Sequence, residues 1–263
     1  MSTLPLFLTD ALAAQGATVM LDGPEGRHAA AARRMRPGEQ LLLGNGRGDL
    51  ARCEILGAGH DGLELRVLRR WHVPPPALHV TVAQALVKGD RGELAVELAT
   101  EAGADAVLPW RAERCVAQWD DGPRGAKALA RWRETARHAA KQSRRPAVPP
   151  VADPVSTAEL AARCGAVVAL VLHEAATAPL PAVPLPAAGE VLVVVGPEGG
   201  ITDRELGVLQ AAGAHPVRLG PEVLRASTAA AMALSALGVI TDRWLIDLSG
   251  EISRTQPHKV YSE

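Results

Sequence analysis

A chain of 263 residues, 48% of them hydrophobic, is long enough to bury the cores of two small domains or of one large domain. The formal net charge of −1 excludes a uniformly basic nucleic-acid-binding protein, so any phosphate-binding surface would have to be local. Three isolated cysteines (Cys53, Cys115 and Cys164) form no Cys-x-x-Cys pair, which argues against a disulfide framework and against a zinc site.

The N-terminus carries no basic segment followed by an apolar stretch, which is the pattern of a secretory signal. No apolar run approaches the about 18 residues that a membrane-spanning helix needs. We therefore expect a soluble, cytoplasmic protein with neither a membrane nor a metal as a partner.

The first part of the chain, residues 1–73, is predicted to form a small barrel-like domain rich in strands. Segments with strand-like composition are separated by Gly-Asn-Gly and His-Asp-Gly turns. These segments are residues 4–8, 18–21, 40–43, 51–56 and 63–68, with one helical stretch at residues 25–35. The sequence Val73-Pro74-Pro75-Pro76 follows, and its consecutive prolines, which lack amide donors, suit a stiff linker.

After the linker, the pattern changes to strands that alternate with helices. Strands are predicted at residues 78–84, 106–108, 166–172 and 190–195, and helices at residues 91–102 and 127–142. The continuous apolar runs are typical of parallel strands that are covered on both faces. Residues 77–248 are therefore predicted to form an α/β domain around a mostly parallel sheet. Residues 249–263 are polar and aperiodic, and we expect a flexible tail there.

The most informative segment is an apolar strand that runs into Gly196-Pro197-Glu198-Gly199-Gly200, here called the glycine turn (residues 196–200). A helix is predicted to open at Thr202, with Glu205 completing a capping box. Open α/β sheets bind ligands at the carboxyl ends of their strands, and glycine lets a ligand approach the main chain closely. The turn is neither a P-loop nor a Gly-x-Gly-x-x-Gly motif. It predicts a ligand site, with a purely structural tight turn as the alternative.

Two further loops follow short apolar strands. One is the Gly-Pro loop (residues 219–227), after which Ser227 or Thr228 is predicted to cap an alanine-rich helix. The other is the histidine loop (residues 172–174), which follows the strand predicted at residues 166–172. Each loop alone is ordinary for an α/β domain, but together with the glycine turn they define a candidate pocket.

The sequences GPEGG and LGPEVLRASTA, each followed by a helix, resemble the RsmE family of 16S ribosomal RNA uridine-N3 methyltransferases, in the SPOUT superfamily. The resemblance extends in order along the chain, from His28 with Arg33, Arg34 and Arg36, through Lys88, Thr100-Glu101-Ala102-Gly103 and Pro109, to Arg131-Trp132, Gln142-Ser143, Arg145 and Pro149. The departures from the family pattern are an acid missing from Ala226-Ser227-Thr228-Ala229, His138 in place of a common Glu, and no Arg before Phe7.

The resemblance implies a SPOUT domain whose C-terminal segment forms a trefoil knot, preceded by a PUA-like barrel that helps to hold RNA. It also implies a homodimer that acts on 16S ribosomal RNA or the small ribosomal subunit, with S-adenosylmethionine bound by the three loops. The implied cofactor-binding residues are Leu172, His173, Gly196, Pro197, Glu198, Gly199, Leu219, Gly220, Leu224, Arg225, Ala226 and Ser227.

Two of these residues are candidates for catalysis. Arg225 would stabilise the negative charge that develops on the uracil carbonyl oxygens, and a structural arginine is the alternative. Glu198 would act as a base or hold the adenosyl or ribose group, and a structural hydrogen-bonding role remains open.

Positive charge is concentrated in residues 124–145, which contain eight basic residues and one acid, Glu134. Arg133, Arg137, Lys141 and Arg144 are predicted to share one helix face, with Trp132, Ala136 and Ala139 buried on another. The predicted RNA contacts are Arg27, His28, Arg33, Arg34, Arg133, Arg137, Lys141, Arg144 and Arg145. A merely solvated surface is the alternative.

Two other functions are open to the sequence. An RNA-binding ribosome assembly factor with a vestigial pocket would fit the missing acid near Ser227, and it would not bind S-adenosylmethionine. A nucleotide-binding metabolic enzyme would need a phosphate loop or an acid–base pair, neither of which is present in the sequence.

Overall fold

The computed structural model describes residues 4–245, which form two compact units. The first contains the chain up to Pro75 together with Lys141–Val148, and the second contains Pro76–Ala140 and Pro149–Trp244. Within the described residues, no helix combines the length and the apolar character that crossing a membrane requires. The predicted tail, residues 249–263, lies outside the described residues.

The first unit is built on a single five-stranded sheet. Its strands are β1 (Leu6–Leu8), β2 (Thr18–Leu21), β3 (Gln40–Gly44), β4 (Asp49–Gly59) and β5 (Gly62–His72), in the order β1-β3-β4-β5-β2. The β1–β3 pairing is parallel and the others are antiparallel. Leu63, Leu65 and Val67 of β5 alternate with exposed residues and point into the core of this unit.

Two strands and the helix of the first unit differ from the prediction. Strands β4 and β5 are each eleven residues long, which is longer than predicted. The prediction was too short because register shifts at Arg52/Cys53 and Ile55/Gly57 break the two-residue alternation that marks a strand in the sequence. The predicted helix at residues 25–35 is instead α1 (Gly23–Arg27), which continues into a π-helical turn, His28–Ala32.

The second unit contains a parallel sheet, which confirms the predicted α/β architecture. Its strands are β6 (Leu78–Ala85), β7 (Ala106–Trp110), β8 (Val168–Leu172), β9 (Gly189–Val195) and β10 (His215–Val217), in the order β10-β8-β9-β6-β7. All four pairings are parallel. The trefoil knot that the resemblance implies stays a prediction.

Helices cover both faces of this sheet. They are α2 (Arg91–Glu101), α3 (Pro123–Gln142), α4 (Thr157–Cys164), α5 (Asp203–Ala211) and α6 (Ala226–Ile240). In the central strand β9, Val191 and Val193 pack with residues of α2 and α6, whereas Leu192 and Val194 pack with residues of α4 and α5. Residues 191–195 are therefore all buried, as expected for a strand that is covered on both faces.

Two boundaries in the second unit were predicted wrongly, and one helix was missed. Strand β7 runs through Pro109 to Trp110, which is possible because β7 is an edge strand of the sheet. Helix α3 begins at Pro123, four residues before the predicted start. Helix α4 was missed, although Ser156 and Glu159 form the capping box that its sequence spacing indicates.

Candidate functional site

The three predicted loops meet at one edge of the parallel sheet. Strands β10, β8 and β9 are neighbours, so their carboxyl ends bring the Gly-Pro loop, the histidine loop and the glycine turn together. The loops line one cavity of about 490 Å³, which is within the size range of small-molecule sites. Every residue assigned to cofactor binding lines it: Leu172, His173, Gly196, Pro197, Glu198, Gly199, Leu219, Gly220, Leu224, Arg225, Ala226 and Ser227.

The glycine turn connects β9 directly to α5. Gly200 has a φ of 75°, a left-handed conformation that disfavours any side chain. Gly196 faces a different limit, since a Cβ built on it would lie 2.7 Å from Cγ1 of Ile201. The turn therefore needs glycine at these two positions for separate reasons.

The capping box that follows the turn is confirmed, and its carboxylate does more than cap α5. Glu205 is fully buried. Its Oε2 accepts hydrogen bonds from the backbone N–H and the hydroxyl of Thr202, at 3.2 and 3.1 Å. Its Oε1 accepts from the backbone N–H of Glu113 at 2.8 Å and from the hydroxyl of Thr157 at 3.0 Å. One side chain thus ties the glycine turn to the segment after β7 and to the start of α4.

Two arginines that the sequence analysis did not single out also line the cavity. Arg114 Nη1 donates a hydrogen bond to the carbonyl oxygen of Gly199 at 3.0 Å, and Arg91 Nη1 lies 3.8 Å from Oε1 of Glu198. Both reach the glycine turn because β6 and β7, which precede them, lie on the far side of β9 from β8. These two arginines can be recognised as cavity residues only from the order of the strands in the sheet.

Arg225 occupies the N-cap position of α6. Its carbonyl oxygen accepts hydrogen bonds from the backbone N–H groups of Thr228 and Ala229, at 2.9 and 3.0 Å. The prediction that Ser227 or Thr228 caps the helix is therefore wrong, because both lie inside it and Thr228 Oγ1 donates back to the Arg225 carbonyl. Within residues 4–245, the exposed guanidinium of Arg225 has no hydrogen bond or ion pair.

The histidine loop is held against the end of β10. The backbone N–H of His173 donates to the carbonyl oxygen of Val217 at 3.1 Å. Its Nδ1 lies 3.2 Å from the backbone N–H of Ala175 and accepts from it, which leaves Nε2 as the ring atom able to contact a ligand. A main-chain hydrogen bond thus joins this loop to the end of β10, from which the chain enters the Gly-Pro loop.

Comparisons with known proteins identify the family of the chain. Residues 74–238 match the RNA methyltransferase domain family, and residues 21–68 match the RNA methyltransferase PUA domain family. The chain is 57% identical to the ribosomal RNA small subunit methyltransferase E of Mycobacterium bovis, covering 91% of this chain and 93% of that one. Its Bacillus subtilis counterpart is 32% identical, covering 86% and 91%. The chain belongs to the ribosomal RNA small subunit methyltransferase E family.

A solved structure of this methyltransferase family supports the same conclusion. The Neisseria gonorrhoeae protein, described as bound to S-adenosyl methionine, is 28% identical to the chain. The match has a TM-score of 0.81 and covers 91% of this chain and 98% of the other. The parallel sheet with its N-terminal PUA domain is thus the architecture of the family.

The N-terminal residues predicted to contact RNA lie on or beside α1. Arg27, His28, Arg33 and Arg34 are exposed, and Arg34 has a φ of 51°. The His28 ring lies 6.2 Å from the ring of Phe7, measured between centroids. Their RNA contacts stay a prediction, which this exposure favours.

The predicted basic face of α3 is partly engaged within the protein. Arg133 donates to the carbonyl oxygen of Val151 and pairs with Asp153, both at 3.0 Å. Lys141 Nζ lies 3.0 Å from both carboxylate oxygens of Glu25.

Arg144 and Arg145 follow this face along the chain. The prediction that Arg144 shares the helix face is wrong, because α3 ends at Gln142 and Arg144 has a φ of 57°. Arg145 is half-buried. Trp132, Ala136 and Ala139 are buried, as predicted.

Arg137 also belongs to the predicted basic face of α3 and is exposed. Its guanidinium has no hydrogen bond or ion pair in the described part of the chain.

The three cysteine thiols of this methyltransferase are not activated as nucleophiles. Burial raises the pKa of Cys53, Cys115 and Cys164 to about 11, so the thiols are protonated at neutral pH. Among residues 4–245, no group of three or more His, Cys, Asp or Glu side chains could hold a metal ion.

Proposed function

We propose that this chain methylates N3 of a uridine in 16S ribosomal RNA with S-adenosylmethionine as the methyl donor. The observation that carries the proposal is the meeting of the histidine loop, the glycine turn and the Gly-Pro loop around one cavity of about 490 Å³. The 57% identity to a ribosomal RNA small subunit methyltransferase E supports the choice of substrate. The binding of S-adenosyl methionine by the similar Neisseria protein supports the choice of cofactor.

The lining of the cavity fits this cofactor chemically. Leu172, Leu219 and Leu224 provide apolar surface suited to a purine ring and to a thioether. Gly196, Gly199 and Gly200 have no side chains and line the cavity with main-chain groups, which can bond to the polar edge of an adenine or to an amino acid group. When bound, S-adenosylmethionine supplies an electrophilic methyl group on a sulfonium sulfur.

Two residues of the cavity are assigned to the reaction itself. N3 of uracil must lose its proton as its bond to the methyl carbon forms, so negative charge develops on the neighbouring carbonyl oxygens. The guanidinium of Arg225, exposed in the cavity, stabilises that charge. Of the three glutamates that line the cavity, Glu174, Glu198 and Glu222, we assign Glu198, which lies next to Arg91, to accept the proton or to hold a ribose hydroxyl.

The two parts of the chain divide the task between them. Residues 1–73 serve as the PUA-like domain that helps to hold RNA, and residues 77–248 serve as the SPOUT methyltransferase domain. Exposed candidates for phosphate contacts are Arg27, His28, Arg33, Arg34, Arg137 and Arg144. We place the enzyme in the cytoplasm, where it meets 16S ribosomal RNA or the small ribosomal subunit.

We also propose that the active enzyme is a homodimer. Helix α6 exposes Met232, Val239 and Ile240, at positions i, i+7 and i+8, which form one apolar face. A Met232→Lys variant should sediment as a monomer, whereas the wild type should sediment at twice 27.5 kDa. Met20→Lys, at another exposed methionine on β2, is the matched control and should leave the dimer intact. A monomeric wild type would contradict the proposal.

Mass-spectrometric mapping of 16S ribosomal RNA tests the function. Cells that lack the chain should lose one N3-methyluridine, and the wild-type gene should restore it. The Arg225→Ala gene should not restore it, because that variant lacks the proposed electrostatic stabilisation. An unchanged modification pattern in the deletion strain would favour the assembly factor with a vestigial pocket.

A further inference from the structure

A second cavity, of about 270 Å³, lies in the same unit as the cofactor cavity and next to it. Val87 lines both cavities. The second one is bounded by two tryptophans and by three cations that α3 contributes: Trp119, Trp132, Arg124, Lys127 and Arg131. The proposed methyl transfer uses none of these side chains.

The aromatic side of this cavity is held in place by the core. Trp132 is buried and contacts α2 closely, since a Cβ built on Gly92 would lie 2.9 Å from Trp132 Nε1. Trp119 packs against it nearly perpendicularly, with ring centroids 4.8 Å apart and an interplanar angle of 76°. Because Trp119 is only half-buried, part of its indole faces the cavity. Such an anchored indole can stack on a ligand at a small entropic cost.

The basic side of the cavity is a single helix face. Arg124, Lys127 and Arg131 are spaced by three and four residues along α3. Arg131 pairs with Glu93 at 3.0 Å, which fixes that edge of the cavity. Arg124 and Lys127 are exposed, and neither has an ion pair within residues 4–245. Two cations next to an anchored indole match a ligand that has both a flat ring and an anionic group.

We propose that this cavity binds an unpaired nucleotide that flanks the methylated uridine, with its base on Trp119 and its phosphate on Arg124 and Lys127. The proposal rests on the function proposed above, because the two cavities share Val87 and a base held in one would have its neighbouring nucleotide near the other. Proteins read single-stranded RNA by stacking splayed bases on aromatic side chains and by neutralising phosphates with cations.

Trp119→Ala tests the stacking contact, with unmethylated small ribosomal subunits and protein-free 16S ribosomal RNA as two separate substrates. The dissociation constants of both RNAs, and KM for each one that the wild type methylates, should rise about 10-fold, while kcat at saturating RNA and the affinity for S-adenosylmethionine stay close to wild type. Trp119→Phe keeps an aromatic face and should restore most of the affinity. An unchanged KM in a folded Trp119→Ala variant would overturn the proposal, as would a loss of affinity for subunits only, which would indicate a protein ligand.

The phosphate contacts have their own test, which leaves the tryptophan pair intact. In the double variant Arg124→Gln/Lys127→Gln, a plot of the logarithm of the RNA association constant against the logarithm of the salt concentration should have a slope that is shallower by about 1. The reason is that fewer counterions are released when the RNA binds. Arg163→Gln, at an arginine that pairs with Glu190 outside both cavities, is the matched control and should leave the slope unchanged. Equal slopes for the double variant and the wild type would contradict the phosphate assignment.

Failure of this proposal can be told apart from failure of the proposed function. Filter binding measures RNA affinity without methyl transfer, so it reports on Trp119 even if the wild type transfers no methyl group. A fully active Trp119→Ala enzyme with unchanged RNA affinity would refute the nucleotide pocket and leave the methyltransferase assignment standing.

Discussion

An Arg225→Ala variant is expected to lose about 100- to 1,000-fold in kcat while its affinity for S-adenosylmethionine changes little. The guanidinium is exposed in the cavity and has no hydrogen bond or ion pair among residues 4–245, so its removal breaks no such bond within that part of the protein. The N-cap of α6 also survives, because the backbone carbonyl of Arg225 makes the capping bonds and the side chain makes none. The loss should therefore fall on the reaction.

Single-turnover methylation and calorimetry separate these effects for Arg225. Arg163→Ala is the matched control: Arg163 pairs with Glu190 at the start of β9, the opposite end of the strand from the cavity, and exposed pairs of this kind contribute little. Arg225→Lys keeps a charge but loses the planar fork, so it should recover part of the rate. Wild-type turnover in Arg225→Ala, or a parallel loss of cofactor affinity, would remove Arg225 from its catalytic role.

Glu205→Ala should be the most destabilising single change at the site. The substitution removes a fully buried acceptor from three part-buried donors: the backbone N–H groups of Glu113 and Thr202 and the hydroxyl of Thr157. We expect a loss of about 3 kcal/mol in the free energy of unfolding, which corresponds to a melting temperature lower by roughly 6–12 °C for a chain of this size. The glycine turn should loosen, so the affinity for S-adenosylmethionine should fall too.

The chain contains a matched control for Glu205. Glu159 forms the same capping box with Ser156, but it is exposed, and within residues 4–245 its carboxylate accepts hydrogen bonds from Ser156 alone. Differential scanning calorimetry of Glu159→Ala should show a much smaller decrease in melting temperature. Similar decreases in the two variants would mean that Glu205 acts only as a cap.

The positions of the ligand loops could be predicted from the sequence, because each depends on residues that are adjacent in the chain. An apolar segment that ends at Gly196 and is followed by Thr202 and Glu205 specifies a strand, a turn and a capped helix. This local pattern does not depend on residues elsewhere in the chain. The histidine and Gly-Pro loops follow from the same reasoning. Their meeting in one cavity required neighbouring strands, which the resemblance to a known family implied.

Contacts between distant residues could not be predicted. Arg91 and Arg114 reach the glycine turn only because β6 and β7 lie beside β9 in the sheet. Lys141 belongs to a basic segment in the sequence, but its partner Glu25 is 116 residues away. In contrast, helix α4 was predictable, since Ser156 and Glu159 have the spacing of a capping box.

A calorimetric titration of S-adenosylmethionine into the wild-type chain tests the central claim most directly. If the ends of β8, β9 and β10 form a working cofactor site, the titration should show saturable binding of one molecule per chain. That binding should weaken in Glu205→Ala and persist in Arg225→Ala. Absence of binding to the folded wild-type protein would contradict the account.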